Sequence, residues 1–281
     1  MKKIVLTGAA GRLGSYLREH VAKLADEFVS TDLVDNVENI LPNETYVKAD
    51  LTNLDEIVEL LKGADMVVHF GAYGDESTFE TILGPNIIGA YNIWEAAYRN
   101  GVRRVVYASS IHAVGMHPKN EFIGTDAPHR PDTFYGLAKC FSEDLASLYW
   151  DKRGVESICM RILSCANVTN PRAVGSWLSY PDLAHLVERC VTTPVCGFSI
   201  IYGVSNNDRA PVDNAKASFI GYRPKDNAEQ FAEEMFAQAG TLNTTDFGNM
   251  CHGGPFAAIE LGNSGLAQLN LNEKTASQKE G

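Results

Sequence analysis

The chain has 281 residues, of which 45% are hydrophobic and 21% are charged, which is globular composition and excludes disordered and fibrous classes. Its formal net charge of −11 argues against nucleic acid as a partner, because phosphate binding needs clustered Lys and Arg. An anionic small molecule would need a local cationic site in this acidic protein.

No segment approaches the roughly 18 to 20 apolar residues of a membrane span, and the apolar run at residues 4–6 is too short for a signal peptide. The six cysteines form no C-x-x-C pair and have no metal-ligand spacing with histidine. We therefore expect a reduced, cytoplasmic protein with no metal site and no membrane partner.

Short β-rich runs alternate with longer helical patterns in the first two thirds of the chain, which predicts parallel strands joined by helical crossovers. The runs are apolar enough for strands buried on both faces of a sheet. The predicted strands are Lys3–Thr7, Glu27–Thr31, Thr45–Lys48, Met66–Phe70, Arg104–Ala108 and Ser157–Arg161.

The connecting segments have helical patterns with recognisable ends. Asn100-Gly101 can close the third helix in a left-handed conformation, and either Asp132 or Thr133 can cap the fourth. Residues 167–179 are predicted to be loop, and residues 272–281 a flexible tail. The predicted helices are Leu13–Ala25, Leu54–Leu61, Asn86–Arg99, Thr133–Lys152, Asp182–Thr192 and Ala228–Ala239, with one more strand at Phe198–Tyr202.

The first strand runs into Gly8, Gly11 and Gly14, a G-x-x-G-x-x-G pattern that opens a helix. Glycines there let the backbone turn tightly and approach a pyrophosphate at the helix N-terminus. The strand before and the helix after identify a dinucleotide-binding loop. Asp32 ends the second strand, where a carboxylate binds the adenosine ribose and repels a 2′-phosphate, so the sequence predicts NAD rather than NADP. Asp50 ends the third strand, and its position is compatible with either a helix cap or a ligand contact.

Tyr135 and Lys139 are four residues apart on a predicted helix, so both lie on the same face. A nearby ammonium favours the phenolate and lowers a tyrosine pKa from about 10, which lets the tyrosine act as a base. Ser110 lies at the end of the fifth strand, where its hydroxyl can share the substrate oxygen. Together with the glycine loop, these residues predict transfer of a proton and a hydride.

Six segments together closely resemble the extended, NAD-dependent branch of the short-chain dehydrogenase/reductase superfamily over about Met1 to Ala239. These segments are Thr7–Gly14, Lys48–Leu51, Val67–Ala72, Asn86–Asn92, Tyr107–Ser110 and Tyr135–Lys139. The resemblance implies that Tyr135 is the general base, that Lys139 binds the nicotinamide ribose and lowers the tyrosine pKa, and that Ser110 orients the substrate hydroxyl. It implies further cofactor contacts at Arg12, Leu13, Leu33, Asp50, Leu51, Phe70, Gly71, Ala72, Asn86 and Cys165.

The expected fold is therefore α/β, a Rossmann-type doubly wound parallel sheet with a small C-terminal substrate-binding lobe. Residues 1–165 are expected to form the NAD-binding domain with the catalytic tyrosine and lysine. Residues 166–281 are expected to be mainly substrate-binding, with the strand near 198–202 returning to the sheet. The resemblance is compatible with a homo-oligomer, either a dimer or a higher assembly, and the sequence does not give the oligomeric state.

Four stretches look like bacterial uronate dehydrogenases, which oxidise C1 of glucuronate or galacturonate to the aldarolactone and form NADH. These stretches are Ser109–Gly115, Pro131–Glu143, Arg161–Cys165 and Gly221–Ala228. The similarity implies that Arg172 binds the substrate carboxylate and that Ser164 and His112 contact hydroxyls. Two candidate substrate positions depart from that pattern, because Ile111 replaces an asparagine and Gly74 replaces a serine.

These departures leave open a dehydrogenase for a neutral aldose or another sugar acid. A nucleotide-sugar epimerase or dehydratase fits less well, because the region after the sixth strand is short and lacks a second basic patch. A redox-sensing NAD-binding module would not need the Tyr135 and Lys139 pair. The sequence therefore favours a sugar-acid substrate without identifying the sugar.

Overall fold

The computed structural model describes residues 1–240, 243 and 245–265. Seven of its strands form one parallel sheet in the order β3-β2-β1-β4-β5-β7-β8, while β6 and β9 pair separately. The order reverses between β1 and β4, so the predicted doubly wound Rossmann-type fold is confirmed. In chain order the strands are β1 (Lys3–Thr7), β2 (Glu27–Asp32), β3 (Glu44–Lys48), β4 (Met66–His69), β5 (Arg104–Ser110), β6 (Ile123–Gly124), β7 (Glu156–Ile162), β8 (Phe198–Gly203) and β9 (Val212–Asp213).

Helices cover both faces of the sheet. In the described part of the chain, none of them combines the length and the apolar character that a membrane span requires. Single 3₁₀ turns lie at 111–114, 215–220, 228–231 and 254–257, and a π-helical turn at 83–88. The α-helices are α1 (Arg12–Ala22), α2 (Leu54–Leu60), α3 (Phe79–Ile82), α4 (Gly89–Arg99), α5 (Phe134–Arg153), α6 (Pro171–Ser176), α7 (Tyr180–Thr192), α8 (Ala232–Gln238) and α9 (Phe247–Met250).

Two apolar layers hold these helices on the sheet. On one face α1 and α7 pack together through fully buried side chains such as Leu17 and Leu186. On the other face α2, α4 and α5 bury Ile57, Trp94 and Ala146. Full burial of one large aliphatic side chain contributes about 1.5–3 kcal/mol, so these layers fix the helix starts relative to the strand ends.

Helix α5, which carries Tyr135 and Lys139, has a defined start and end. Thr133 is its N-cap and accepts a hydrogen bond from the Gly136 backbone N–H at 3.0 Å. Gly154 closes the helix with a positive φ of 69°. Of the two candidate caps, Thr133 therefore has this role, and the Asp132 carboxylate makes other contacts.

The structure corrects three sequence-based expectations. Strand β3 is an edge strand with largely exposed residues, so its prediction as a strand buried on both faces is wrong. Residues 171–176 form α6 rather than loop, because Asn170 caps the helix and Pro171 fits its first turn. The helix expected from Asn86 starts earlier, at Phe79, and passes through the π-helical turn before α4.

The strand expected to return to the sheet is β8, which pairs with β7 in parallel. The division of the chain at 165/166 stays a prediction. The expected flexible tail, 272–281, lies outside the described residues.

Candidate active site

The loop after β1 brings three backbone segments into direct contact. Gly8 has a positive φ of 74°, and a Cβ there would lie 2.6 Å from the carbonyl carbon of Phe70. A Cβ on Gly14 would lie 1.9 Å from the carbonyl oxygen of Gly8, so α1 starts against the loop. Gly11 is the N-cap of α1 and provides no side-chain hydrogen bond to its first N–H groups. These N–H groups and the positive helix end fit the diphosphate of a dinucleotide.

Asp32 lies beside this loop at the end of β2. Its Oδ2 accepts a hydrogen bond from the Ala10 backbone N–H at 2.9 Å, and its Oδ1 accepts one from the Leu33 N–H at 2.7 Å. The side chain of Leu33 is 59% exposed. The carboxylate is thus fixed at the strand end where a dinucleotide ribose binds in this fold, which fits NAD.

Asp50 and Leu51 follow β3 at the same edge of the sheet. The Oδ1 of Asp50 accepts hydrogen bonds from the Thr52 backbone N–H and hydroxyl at 2.9 and 2.8 Å. Asn53 caps α2, so the helix-cap alternative for Asp50 is wrong and the predicted ligand contact remains. Leu51 packs beside Gly71, where a Cβ would lie 2.8 Å from its Cδ1.

The segment 70–73 after β4, which includes Ala72, is held at the topological switch point by two side chains. The Oγ1 of Thr7 accepts a hydrogen bond from the Gly71 N–H at 3.0 Å. Asn86, in the π-helical turn, accepts from the Tyr73 N–H at 2.8 Å and donates to the Tyr73 carbonyl at 3.0 Å. The Asn86 side chain therefore supports the loop by binding the backbone of Tyr73, which agrees with its predicted supporting role.

Arg12 connects the two sides of the crevice. Its Nη1 donates a hydrogen bond to the carbonyl oxygen of Cys165, after β7, at 2.7 Å. Cys165 is buried, and burial raises the pKa of its thiol to about 12, so the side chain is a packing group. The side chain of Leu13 packs against the apolar layer of α1 and α7. Cys165 and Leu13 can thus contact a cofactor through their backbones.

The structure brings Ser110, Tyr135 and Lys139 together. Ser110 ends β5, where its hydroxyl oxygen accepts a hydrogen bond from the His112 N–H at 3.2 Å and lies near the Tyr135 side chain. The Nζ of Lys139 lies 5.1 Å from the centre of the Tyr135 ring and donates to the Ala108 carbonyl at 2.7 Å. The three predicted catalytic residues therefore converge at the carboxyl end of β5.

Burial of the site opposes ionisation of both Tyr135 and Lys139. Burial raises the pKa of Tyr135 to about 12, and the Ser110 side chain partly offsets this. Burial also lowers the pKa of Lys139 to about 7. Formation of a Tyr135 phenolate therefore depends on positive charge held close to the ring.

His112 forms the opposite side of the site. Its Nδ1 lies 2.7 Å from Oδ2 of Asp132, whose side chain is fully buried. The His112 ring lies 5.8 Å from the Tyr135 ring and 4.3 Å from the Phe256 ring, measured between centres. Because Nδ1 is engaged by Asp132, a ligand would bind His112 at Nε2.

Arg172 lies in the first turn of α6 and is partly buried. Its Nη2 donates a hydrogen bond to the carbonyl oxygen of His252 at 2.7 Å. Within the described residues it forms no ion pair with a carboxylate. Burial lowers the pKa of Arg172 to about 10, and the charge of Asp132 opposes that shift. A desolvated guanidinium in this setting suits a ligand carboxylate, which it can bind with two parallel hydrogen bonds.

The chain matches the model of the NAD dependent epimerase/dehydratase family over residues 4–178, more than half of its length. It belongs to this family. Membership in this family confirms the predicted superfamily and the prediction of NAD as the cofactor.

Sequence similarity to individual relatives extends over nearly the whole chain. A uronate dehydrogenase from Pseudomonas putida is 40% identical over 256 residues, which cover 91% of this chain and 95% of that protein. The structure of a glucuronic acid dehydrogenase from Chromohalobacter salexigens has a TM-score of 0.89 and 39% identity, with coverage of 92% and 97%. A mutant uronate dehydrogenase from Agrobacterium tumefaciens, complexed with NAD, has a TM-score of 0.88 and 39% identity, with coverage of 92% and 98%. These similarities confirm the predicted NAD-dependent enzyme class and the resemblance to uronate dehydrogenases.

The two departures from the family pattern differ structurally. Ile111 is 1% exposed and packs into an apolar cluster with residues such as Leu163 and Tyr202, so its side chain is a packing group rather than a substrate contact. Gly74 is exposed, and a Cβ there would meet no atom within 4 Å. Ser164 has its backbone fixed by hydrogen bonds to the segment 176–178. Gly74 and Ser164 therefore remain candidate substrate contacts, while the expectation for the Ile111 side chain is corrected.

Sequence reasoning missed three residues that organise this site. Asp132 orients His112, Phe256 packs on the His112 ring, and the buried Glu76 binds the start of α5. Asp132 was visible only as a possible helix cap, and no sequence signal links the other two residues to the site. In the described residues, no group of three or more His, Cys, Asp or Glu is arranged to hold a metal ion.

Proposed function

We propose that this family member is a uronate dehydrogenase, which oxidises C1 of glucuronate or galacturonate to the aldarolactone and forms NADH. The observation that carries the proposal is Arg172, a partly buried guanidinium without a carboxylate partner among the described residues. The charge of Asp132, whose carboxylate lies against His112, acts on this guanidinium, and the His112 ring lies 5.8 Å from the Tyr135 ring. The names of the relatives support the same substrate class.

The catalytic residues have complementary tasks. Ser110 holds the C1 hydroxyl, Tyr135 as phenolate accepts its proton, and the Lys139 ammonium stabilises that phenolate. NAD, held by the glycine loop and Lys139, would supply the acceptor for the hydride that leaves C1. The C1–O bond becomes a carbonyl while C1 stays bonded to the ring oxygen, so the product is the lactone.

The chain offers a complete set of groups to hold the dinucleotide. The glycine loop and the start of α1 would bind the diphosphate, and Asp32 the adenosine ribose. Asp50 and Leu51 would contact the adenine end, and the segment 70–73 would line the middle of the cofactor. Lys139 would bind the nicotinamide ribose and would also stabilise the Tyr135 phenolate.

A neutral aldose is the second candidate substrate, because Gly74 offers no hydroxyl to the sugar and the Ile111 side chain packs away from ligands. Initial rates of NADH formation with glucuronate, galacturonate, glucose and galactose test both candidates. We expect kcat/KM for each uronate to exceed that for the matching aldose by about 100-fold, since one ligand carboxylate bound by arginine is worth about 3 kcal/mol. Equal kcat/KM for glucose and glucuronate would establish the neutral aldose, and no turnover of any hexuronate would reject the proposal.

Gly74→Ser is expected to lower the KM for a uronate about fivefold, because the site has room for the side chain and one neutral hydrogen bond contributes about 1 kcal/mol. Ile111→Asn is the matched change at the other position that departs from the uronate dehydrogenase pattern. It is expected to leave the KM unimproved and to destabilise the fold by about 1–3 kcal/mol, because it buries an amide among apolar side chains. Steady-state kinetics and denaturant unfolding measure both effects. An unchanged KM in Gly74→Ser would show that this loop does not contact the sugar.

A further inference from the structure

Glu76, in the loop after β4, is a fully buried carboxylate at the start of the catalytic helix. Its Oε2 accepts a hydrogen bond from the backbone N–H of Tyr135 at 2.8 Å. Its Oε1 accepts hydrogen bonds from the N–H groups of Phe134 at 3.2 Å and Gly262 at 3.1 Å. One carboxylate therefore joins the residue proposed as the base to a segment more than a hundred residues later in the chain.

These contacts satisfy donors that the helix itself leaves without partners. The first N–H groups of an α-helix have no intrahelical acceptor. Thr133 binds the Gly136 N–H, and Glu76 binds those of Phe134 and Tyr135 from outside the helix. A negative charge is also favoured at a helix N-terminus. Glu76 thus defines the position of the Tyr135 backbone directly.

The preceding residue, Asp75, holds the same C-terminal segment two residues further on. Its Oδ2 accepts a hydrogen bond from the Ser264 hydroxyl, and its Oδ1 accepts one from the Gly265 N–H at 3.1 Å. Asp75 Oδ1 also accepts from the Glu76 N–H at 2.8 Å. The two adjacent carboxylates form a clasp, Asp75–Glu76, around residues 262–265.

The clasped segment leads into the substrate side of the site. A Cβ on Gly265 would lie 2.6 Å from Cζ of Phe256, so Gly265 packs directly on that ring. The Phe256 ring in turn packs on His112 at 4.3 Å. Arg172 donates to the His252 carbonyl, and Gly254, with a positive φ of 62°, lies against its guanidinium. Arg172 and His112, two of the residues proposed to bind the sugar, therefore both contact the segment 252–265.

We propose that Glu76 is a positioning residue of the reaction, which holds the base Tyr135 and the segment 252–265 in a fixed relation. The role in turnover rests on the proposed uronate oxidation. The carboxylate is essential because it accepts three N–H hydrogen bonds with two oxygen atoms. A glutamine offers one acceptor oxygen and would direct its own N–H group towards at least one of these donors.

Glu76→Gln tests the proposal with Glu80→Gln as the matched control, since Glu80 is an exposed carboxylate on α3. In Glu76→Gln we expect kcat for glucuronate to fall about tenfold, because small displacements of a reacting group cost up to about 100-fold. The Kd for NAD, measured by fluorescence titration, should stay within about twofold, because among the described residues Glu76 forms no hydrogen bond with the glycine loop, Asp32 or Lys139. Hydrogen exchange should become faster in the peptides covering 133–137 and 254–265. Glu80→Gln should match the wild type in all three measurements.

Three results would overturn the positioning role. These are a kcat within about twofold of the wild type, unchanged exchange in both peptides, or a loss of NAD affinity as large as the loss of kcat. Hydrogen exchange needs no substrate, so it tests the clasp even if wild-type protein fails to oxidise any uronate. That failure would reject the proposed function alone.

Asp75→Asn provides a second variant if Glu76→Gln does not fold. It weakens the hold on Ser264 and Gly265 while it leaves the Glu76 contacts with α5 in place. We expect faster exchange in 254–265, unchanged exchange in 133–137, and a KM for glucuronate raised about threefold to tenfold through displacement of Arg172 and His112. Faster exchange in both peptides, or in neither, would contradict the separate tasks of the two carboxylates.

Discussion

Tyr135→Phe is expected to lower kcat for glucuronate oxidation by about 1,000-fold, within the range that a lost general base produces. The change removes the hydroxyl proposed to act as the base and leaves the ring beside His112 in place. The Kd for NAD should therefore change by less than about threefold, which separates the loss of chemistry from a loss of binding. Single-turnover NADH formation and a fluorescence titration measure the two effects.

The pH dependence gives this variant a second signature. Burial raises the pKa of Tyr135 to about 12, and only the ionised form accepts a proton. The wild-type kcat should accordingly fall as pH falls, because protonation of the phenolate removes the base. The residual rate of Tyr135→Phe should lack this dependence, since the Tyr135 phenol is absent from the variant.

Tyr107→Phe is the matched control. Tyr107 lies on β5, is buried, and has its ring centre 4.7 Å from the Nζ of Lys139. Its side chain lies near Ser142 and takes no part in the proposed proton transfer, so the variant should keep kcat within about twofold and change stability by no more than about 1 kcal/mol. Equal losses of kcat in the two variants would mean that Tyr135 is not the base.

The elements that the sequence predicted well are those with strong local signals. The glycine loop needs a left-handed Gly8 and a close approach at Gly14, and few other residues tolerate either. Tyr135 and Lys139 are placed by helical periodicity, which any amphipathic helix preserves. The positions of the glycine loop, Tyr135 and Lys139 in the fold could therefore be predicted from short segments and their order.

The substrate half depends on contacts between segments distant in sequence, which no local pattern reveals. Ile111 follows a catalytic strand end, yet its side chain turns into a separate apolar cluster. Glu76 sits in a loop with no motif and acquires its partners from α5 and from residue 262. The Asn170-Pro171 pair did carry a helix-start signal that the loop prediction overlooked. That signal matters because α6 carries Arg172.

Arg172→Ala is expected to raise the KM for glucuronate by about 100-fold, equivalent to about 3 kcal/mol for a carboxylate left without its charged partner. Its effect on kcat should be smaller, because the guanidinium binds the far end of the sugar rather than the reacting carbon. Arg172→Lys should recover part of the affinity, since it keeps the charge but not the paired hydrogen bonds. Arg209→Ala is the matched control, because Arg209 is exposed and paired with Glu229.

The comparison between substrates decides whether Arg172 acts on the carboxylate or only supports the fold. Arg172 also donates to the His252 carbonyl, so its removal loosens the segment that carries Phe256. Loosening alone would reduce kcat/KM for glucose and glucuronate by the same factor, whereas a lost ion pair affects glucuronate only. We therefore expect the preference of the enzyme for glucuronate over glucose to fall by about 100-fold in Arg172→Ala. An unchanged preference would assign the carboxylate to another cation and leave Arg172 as a support for the C-terminal segment.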